Sequence, residues 1–315
     1  MDKSWPRPFR RNTSTMGNIS TTPEHRFENL EDYDFQGNYI EVEAGLRMHY
    51  LDEGNENKPT VLLLHGEPSW SYLYRHMIPV LSKEFRTIAP DLIGFGKSDK
   101  LIDKQAYSYQ KHVDWMSTFI EKLNLEGIIL FCQDWGGLIG LRIITEMEDR
   151  FSMVVASNTA LPTGKIPMPE SFLQWREYSQ HSPGFNIGKV IDMGTVQSLS
   201  EKVYEAYNAP FPSEEYKTGA RMFPTLVPID ENDPESHKNL KAWQALKTWH
   251  KPFLTLFGDK DHIMLGAEKI FQKLVPGAKG QNHKILHAGH FIQEEKGEEL
   301  AELIIAFYQK NTPAN

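Results

Sequence analysis

Two short runs, Tyr39 to Glu43 and Leu46 to Asp52, flank Ala44-Gly45 and predict a β-hairpin at the start of the fold. The next apolar run, Val61 to Leu64, is short and uninterrupted, as a strand buried on both faces should be. It ends at His65-Gly66. Leu73, Met77, Val80 and Leu81 then recur at helical spacing, and Thr87 to Pro90 returns to a strand before the turn-rich Gly94-Phe95-Gly96. This spells one βαβ unit. Val113, Met116, Ile120 and Leu123 mark one face of a second helix, followed by the strand Ile128 to Phe131. Residues 135–149 read as helix and Met153 to Ala156 as the next strand. Such alternation predicts an α/β fold: a mostly parallel central sheet with helices on both faces, its active site beyond the carboxyl ends of the strands.

The alternation breaks between Ala160 and Asp230, where prolines at 162, 167, 169, 183, 210, 212, 224 and 228 are interleaved with aromatic residues. A loop of that length without structure is unusual, so an inserted helical cap over the sheet is expected at 160–230. The sheet resumes with Phe253 to Phe257, a helix over Ala267 to Val275, the strand Lys284 to Leu286 and a closing helix marked by Leu300, Leu303, Ile304 and Phe307. Trp243 and Trp249 are assigned to a helix after the cap. The expected organisation is a flexible N-terminal extension over 1–20, a core domain of 21–159 and 231–312, and the cap. No internal repeat or low-complexity tract is present.

Composition narrows the partners. With 40% hydrophobic and 24% charged residues, the 315-residue chain is ordinary for a globular protein. A net charge of -8 disfavours nucleic acid and anionic membrane as partners, since both polyanions would be repelled. No apolar run reaches the length of about 18 residues needed to span a bilayer. The single cysteine, Cys132, excludes an internal disulfide and fits a reducing compartment, with the cytoplasm as the default. The first twenty residues are basic but lack the apolar stretch of a secretory signal, so the Asn-x-Ser matches at Asn12 and Asn18 read as chance.

The strongest chemical signal is Cys132-Gln133-Asp134-Trp135-Gly136, where a strand turns into a helix. It has the small-x-nucleophile-x-small form of a nucleophile elbow, with Asp in the place more often held by Ser. An Asp before a helix is by itself most often an N-cap. The glycines at 136, 137 and 140 lack dinucleotide spacing. The partners change the balance. His65-Gly66-Glu67-Pro68 follows an earlier strand, where a turn can aim a backbone N–H at a developing oxyanion. Downstream, Gly258-Asp259-Lys260-Asp261 and Ala288-Gly289-His290-Phe291 each follow a strand. Nucleophile, acid and base thus stand in the order of an α/β-hydrolase. His290, one of twelve histidines, is singled out by that order.

With these motifs together, the chain resembles the haloalkane dehalogenases of the α/β-hydrolase superfamily, subfamily I most closely, over roughly Arg26 to Tyr308. The resemblance rests on the run from His65 to Arg75, the run from Pro90 to Lys100, Gln133-Asp134-Trp135-Gly136-Gly137 and Ala288-Gly289-His290-Phe291. It implies backbone donors from Glu67 and Trp135 for the oxyanion, and two indole N–H groups, from Trp135 and a cap tryptophan, for the departing halide. Phe172-Leu173-Gln174-Trp175 matches the family's cap segment and assigns the second indole to Trp175, which in isolation reads as core packing. The family's alternative acid position falls at Ser157-Asn158, which cannot be anionic. Asp261 is therefore the expected acid, with Asp259 the runner-up. Asp91 and Asp99 read as structural turn residues, and Cys132 as a small buried apolar residue.

The implied reaction takes a small halogenated aliphatic substrate and water to an alcohol, a halide ion and a proton. Asp134 forms an ester, which water activated by His290 hydrolyses, with no metal or organic cofactor. Epoxide hydrolase is the nearest rival and would require acidic O–H donors, for which Tyr178, Tyr204, Tyr207 and Tyr216 are available. A catalytically silent ligand-binding homologue is argued against by the intact nucleophile, base and acid. A luciferase-like oxygenase is disfavoured by the first motif and the acid position.

Overall fold

A computed structural model describes residues 19–313. The expected N-terminal extension therefore lies outside the described residues except for Ile19 and Ser20. These form β1 (Ile19–Ser20), which pairs antiparallel with Leu101 and Lys100. The strands that follow are β2 (Gly37–Glu43), β3 (Leu46–Glu53), β4 (Thr60–Leu64), β5 (Arg86–Pro90), β6 (Lys100–Leu101), β7 (Ile128–Gln133), β8 (Phe151–Ser157), β9 (Phe253–Gly258) and β10 (Lys284–Leu286). Eight of them form one sheet in the order β10-β9-β8-β7-β4-β5-β3-β2. The β2-β3 and β3-β5 pairings are antiparallel, and every other pairing in this sheet is parallel.

The continuous apolar runs resolve into two cores because successive side chains leave a strand on opposite faces. Leu62, Leu64, Leu130, Cys132, Val154 and Ala156 pack on one face. Val61, Leu63, Ile129, Phe131, Met153 and Val155 pack on the other. A strand covered on both sides has no polar face to show, which is why these segments lack the polar/apolar alternation of the opening hairpin.

The helices are α1 (Ile78–Leu81), α2 (Tyr109–Lys122), α3 (Trp135–Glu146), α4 (Glu170–His181), α5 (Ile187–Met193), α6 (Glu201–Asn208), α7 (Thr218–Leu226), α8 (Pro234–Leu246), α9 (Ala267–Leu274) and α10 (Ile292–Asn311). Ser108 starts α2 by accepting a hydrogen bond from the Lys111 N–H, as an N-cap serine does. Two expectations needed shortening. The helix read from Leu73 to Leu81 is a 3₁₀ turn, Ser71–Tyr74, plus the single turn α1, because Pro79 supplies no N–H for a helical bond back to Arg75. Residues 135–149 form helix only to Glu146, where Met147 (φ −127°) breaks the run into a 3₁₀ turn. Trp243 lies on α8, but Trp249 falls in the turn beyond it.

Between β8 and β9 the chain makes five helices. The amphipathic α4 packs on α7, α5 packs on α6, and α8 returns to α3 on the face of the sheet. Below α4 and α7 lies a cavity of about 960 Å³, open at one side and floored by residues that follow β4, β7, β8 and β10.

Candidate active site

The sharpest backbone feature is Asp134, which joins the wholly buried β7 to α3 with φ 51° and ψ −124°. A non-glycine residue there carries a strain of about 1–3 kcal/mol, which persists only where neighbours over-determine the conformation. The neighbours do so. The Asp134 N–H donates to Asn158 O at 3.0 Å, and its carbonyl accepts from the Thr159 hydroxyl at 2.8 Å. A Cβ on Gly136 would fall 2.1 Å from Leu64 O, and one on Gly66 would fall 2.4 Å from the Asp134 side chain. Both glycines are demanded by close approach. The turn leaves the Asp134 carboxylate at the cavity floor, uncommitted to capping its own helix. Its Oδ1 instead accepts from the Glu67 backbone N–H at 2.6 Å.

The other oxygen, Oδ2, faces His290 Nε2 at 3.4 Å, while the opposite ring nitrogen, Nδ1, is 2.8 Å from Asp261 Oδ2. The Asp261 Oδ1 accepts from the backbone N–H groups of Ile263 and Met264. Burial alone would raise the Asp261 pKa, but His290 and these donors hold it below its usual range. Burial alone would likewise lower the His290 pKa. The adjoining carboxylates of Asp261 and Asp134 outweigh it and raise the imidazole to about 10. Asp259 points away and meets His287 at 3.1 Å near the surface. Asn158 serves as a backbone clamp: its amide NH₂ donates to the carbonyls of Gly289 and His290, and its Oδ1 accepts from Gly258 N.

Glu67, Trp135 and Trp175 all line the cavity. As the first residue of α3, Trp135 has a backbone N–H with no partner inside the helix. Its indole stacks on Phe223 of α7, with centroids 4.4 Å apart and planes 7° from parallel. Trp175 on α4 is half-buried against Tyr178 and Phe185. Other tryptophan N–H groups are spoken for: Trp70 donates to Ala206 O, Trp115 to Glu43 and Trp243 to Leu161 O. Among the described residues, Trp135 and Trp175 are the tryptophans that line the cavity and whose indole N–H has no protein acceptor. Trp249, also without an acceptor, is buried elsewhere.

Asp91 and Asp99 sit outside the cavity. Asp91 is buried and accepts from Ser71 N and Lys97 N beside His49, and Asp99 is bound by Arg47 and Thr21. Cys132 is buried, and burial raises its thiol pKa. Of the four tyrosines considered for epoxide chemistry, Tyr178 alone lines the cavity, and the Tyr207 hydroxyl is bonded to Glu294. No cluster of three metal-ligating side chains occurs among the described residues, nor any helix long and apolar enough to cross a membrane. The reading from sequence assigned no role to Gln133 or to the clamp made by Asn158. A signal for Gln133 existed: it is a polar residue closing an otherwise apolar buried strand.

Comparison with known proteins agrees with this architecture. A family profile described as alpha/beta hydrolase fold matches residues 59–297. The chain is 52% identical over 299 residues to a haloalkane dehalogenase of Psychrobacter cryohalolentis, covering 93% of this chain and 99% of that protein. It is 50% identical over 296 residues to one of Mycolicibacterium paratuberculosis, covering 92% and 98%. Among solved structures, the tetrameric haloalkane dehalogenase DpaA from Paraglaciecola agarilytica superposes with a TM-score of 0.86 at 35% identity, covering 92% of this chain and 98% of that one. Fold, strand-end constellation and sequence similarity converge: the chain belongs to the haloalkane dehalogenases of the α/β-hydrolase fold.

Proposed function

We propose that this protein hydrolyses halogenated aliphatic substrates to an alcohol, a halide ion and a proton, with Asp134 as nucleophile, His290 as base and Asp261 as its acid partner. The observation that carries the reading is the position of Asp134: one carboxylate oxygen is held by the Glu67 N–H and the other is left facing His290 in an apolar cavity. The bound Oδ1 sits where an oxyanion would form. Oδ2 is free to attack a saturated carbon in line with the departing halide. As the new carbon–oxygen bond forms, the carbon–halogen bond breaks with its electron pair on the halogen, and the halide departs toward the unpaired N–H groups of Trp135 and Trp175. An indole donor suits such an anion because it adds a hydrogen bond without a fixed positive charge.

Charge dictates the order of the next step. With Asp134 ionised, two carboxylates hold His290 in its protonated form. Esterification of Asp134 removes one of those charges, so the imidazole pKa falls, Nε2 gives up its proton to solvent as the proton released in the reaction, and the neutral ring can then take a proton from water. The resulting hydroxide adds to the Asp134 carbonyl carbon, and the backbone donors of Glu67 and Trp135 stabilise the oxyanion. Collapse breaks the ester bond, His290 gives its proton to the leaving alkoxide, and Asp134, which keeps the oxygen from water, passes its own proton to His290 and restores the starting pair. Asp261 stabilises the imidazolium throughout.

Residues 160–230 are read as the cap that roofs this cavity, on a core of 21–159 and 231–312, and the lone buried Cys132 fits a cytoplasmic setting. A halide-release assay over short chloro-, bromo- and iodoalkanes, with an epoxide included, tests the reading. Halide release with no epoxide hydrolysis is expected, and epoxide turnover without halide release would overturn it.

A further inference from the structure

Gln133 is the last residue of β7 and the first polar side chain after five apolar ones, and it is fully buried. Its amide nitrogen lies 3.1 Å from the His290 carbonyl oxygen and 3.2 Å from His290 Nε2. Its amide oxygen accepts from Gln293 Nε2 at 3.4 Å, and the same Gln293 nitrogen lies 3.5 Å from the Tyr74 hydroxyl. The carbonyl of His290 can only accept, so the Gln133 atom facing it must be the NH₂ group. That settles what faces the imidazole: a second amide hydrogen, directed at Nε2. When Nε2 carries a proton, two donors oppose each other. When the proton sits on Nδ1, bonded to Asp261, Nε2 offers a lone pair and the contact becomes a hydrogen bond.

We propose that Gln133 is a positioning residue that favours the neutral, Nδ1-protonated form of His290 and orients its Nε2 lone pair, with Gln293 fixing the amide's orientation. This rests on the reading of His290 as base. The titratable groups on elements packed around His290 are Asp134 after β7, Asp261 and Asp259 after β9, Glu67 after β4, His287 after β10, and Glu295 on α10. Of these, only Asp134 and Asp261 contact its ring. Both favour the cation. Gln133 opposes them, and its effect is greatest once Asp134 is an ester, when the base must be neutral. The carbonyl contact also ties the amide to the loop that carries His290, so ring and donor move together.

The test uses the full chain with Asp134→Asn, which leaves a neutral group in place of the nucleophile as the ester does. The His290 ring is titrated by nitrogen-15 NMR, its resonances assigned by their loss in His290→Gln. Adding Gln133→Met, similar in size but without a donor, is expected to raise the His290 pKa by about one pH unit. Gln293→Leu should move it in the same direction by less, and it decides the matter if Gln133→Met does not fold. With Asp134 intact, Gln133→Met should retain the halide burst but slow ester hydrolysis about tenfold near neutral pH, with recovery at higher pH. An unchanged His290 pKa in both folded variants, or an equal loss of hydrolysis at every pH, would overturn the proposal. Failure of the base assignment looks different: His290→Gln would show a halide burst followed by ester hydrolysis at the rate of the unmutated protein.

Discussion

The floor and the roof of the cavity are built on different physical terms. On the floor, Asp134, His290 and Asp261 follow parallel strands, and each is held by directional hydrogen bonds. On the roof, Trp175 and Tyr178 are half-buried and held by aromatic packing, and the rim carries Ile166 and Met193 at 70% and 72% exposure. A group fixed by directional bonds tolerates little displacement, because an unmade buried bond costs about 1–3 kcal/mol. A group fixed by packing has several near-equivalent arrangements. On the proposed mechanism, the contrast places the chemical steps in the sheet and fit to the substrate in the helices above it.

The sharpest way to break this contrast is at the floor. Asp134→Ala should reduce halide release by about 10⁴-fold or more, since no other carboxylate reaches the same point. Retained turnover would relocate the nucleophile. His290→Gln should leave alkylation largely intact and stop hydrolysis, so mass spectrometry after exposure to 1,2-dibromoethane should find an adduct on the peptide bearing Asp134. Halide release with an unmodified peptide would dismiss the two-step scheme.

Next in size is the choice between acids. Asp261→Asn should slow ester hydrolysis by about 10²–10⁴-fold in single-turnover kinetics, and Asp259→Asn by less than about threefold, because Asp259 meets exposed His287. A selective loss at Asp259 would reverse the assignment. On the roof, Trp175→Phe should cost about one to two powers of ten in carbon–halogen cleavage, the worth of one hydrogen bond to a charged group. Trp243→Phe, which also alters the cavity wall but removes a donor already bound to Leu161 O, should leave halide affinity nearly unchanged. Fluorescence quenching by free halide measures both, and equal losses would dissolve the distinction between free and committed indoles.

The smallest effect is on stability. The His290 pKa is raised from 6.5 to about 10, so its stabilising contribution is fully present below pH 6.5 and is lost as pH climbs through 10. The Asp261 pKa is lowered, so its share disappears instead as pH falls through its folded value. The Tm difference between unmutated protein and His290→Gln should therefore shrink between pH 6.5 and 10, by about 2–4 °C per kcal/mol lost. A constant gap would mean that the pair contributes through packing alone.

Much of the floor was legible along the chain because it is written locally. Strand, tight turn and helix occupy consecutive residues around Asp134, and a glycine is required wherever backbone meets backbone, as at Gly136. The parallel sheet was legible too, since strands buried on both faces must be apolar throughout. Helix ends were less so: the run from Leu73 to Leu81 divides into a 3₁₀ turn and α1 with Pro79 in its first turn, and α3 stops before Met147 although residues 135–149 read as one helix.

What the sequence by itself determined was therefore the set of candidate reactive groups and the order of elements that carries them to one edge of the sheet. Tertiary structure alone decided which carboxylate reaches Nδ1 of His290, which indoles keep a free N–H, and that Gln133 meets the His290 ring. Asp259 and Asp261 are two residues apart and chemically alike, and only the path of the chain after β9 turns one toward His290 and the other toward His287. Whether a donor is free depends on what lies within about 3 Å of it in space, and Trp243 finds its acceptor at Leu161, 82 positions away. Local pattern encodes conformation, whereas partnership depends on contacts between distant positions, and no spacing along a single chain records those.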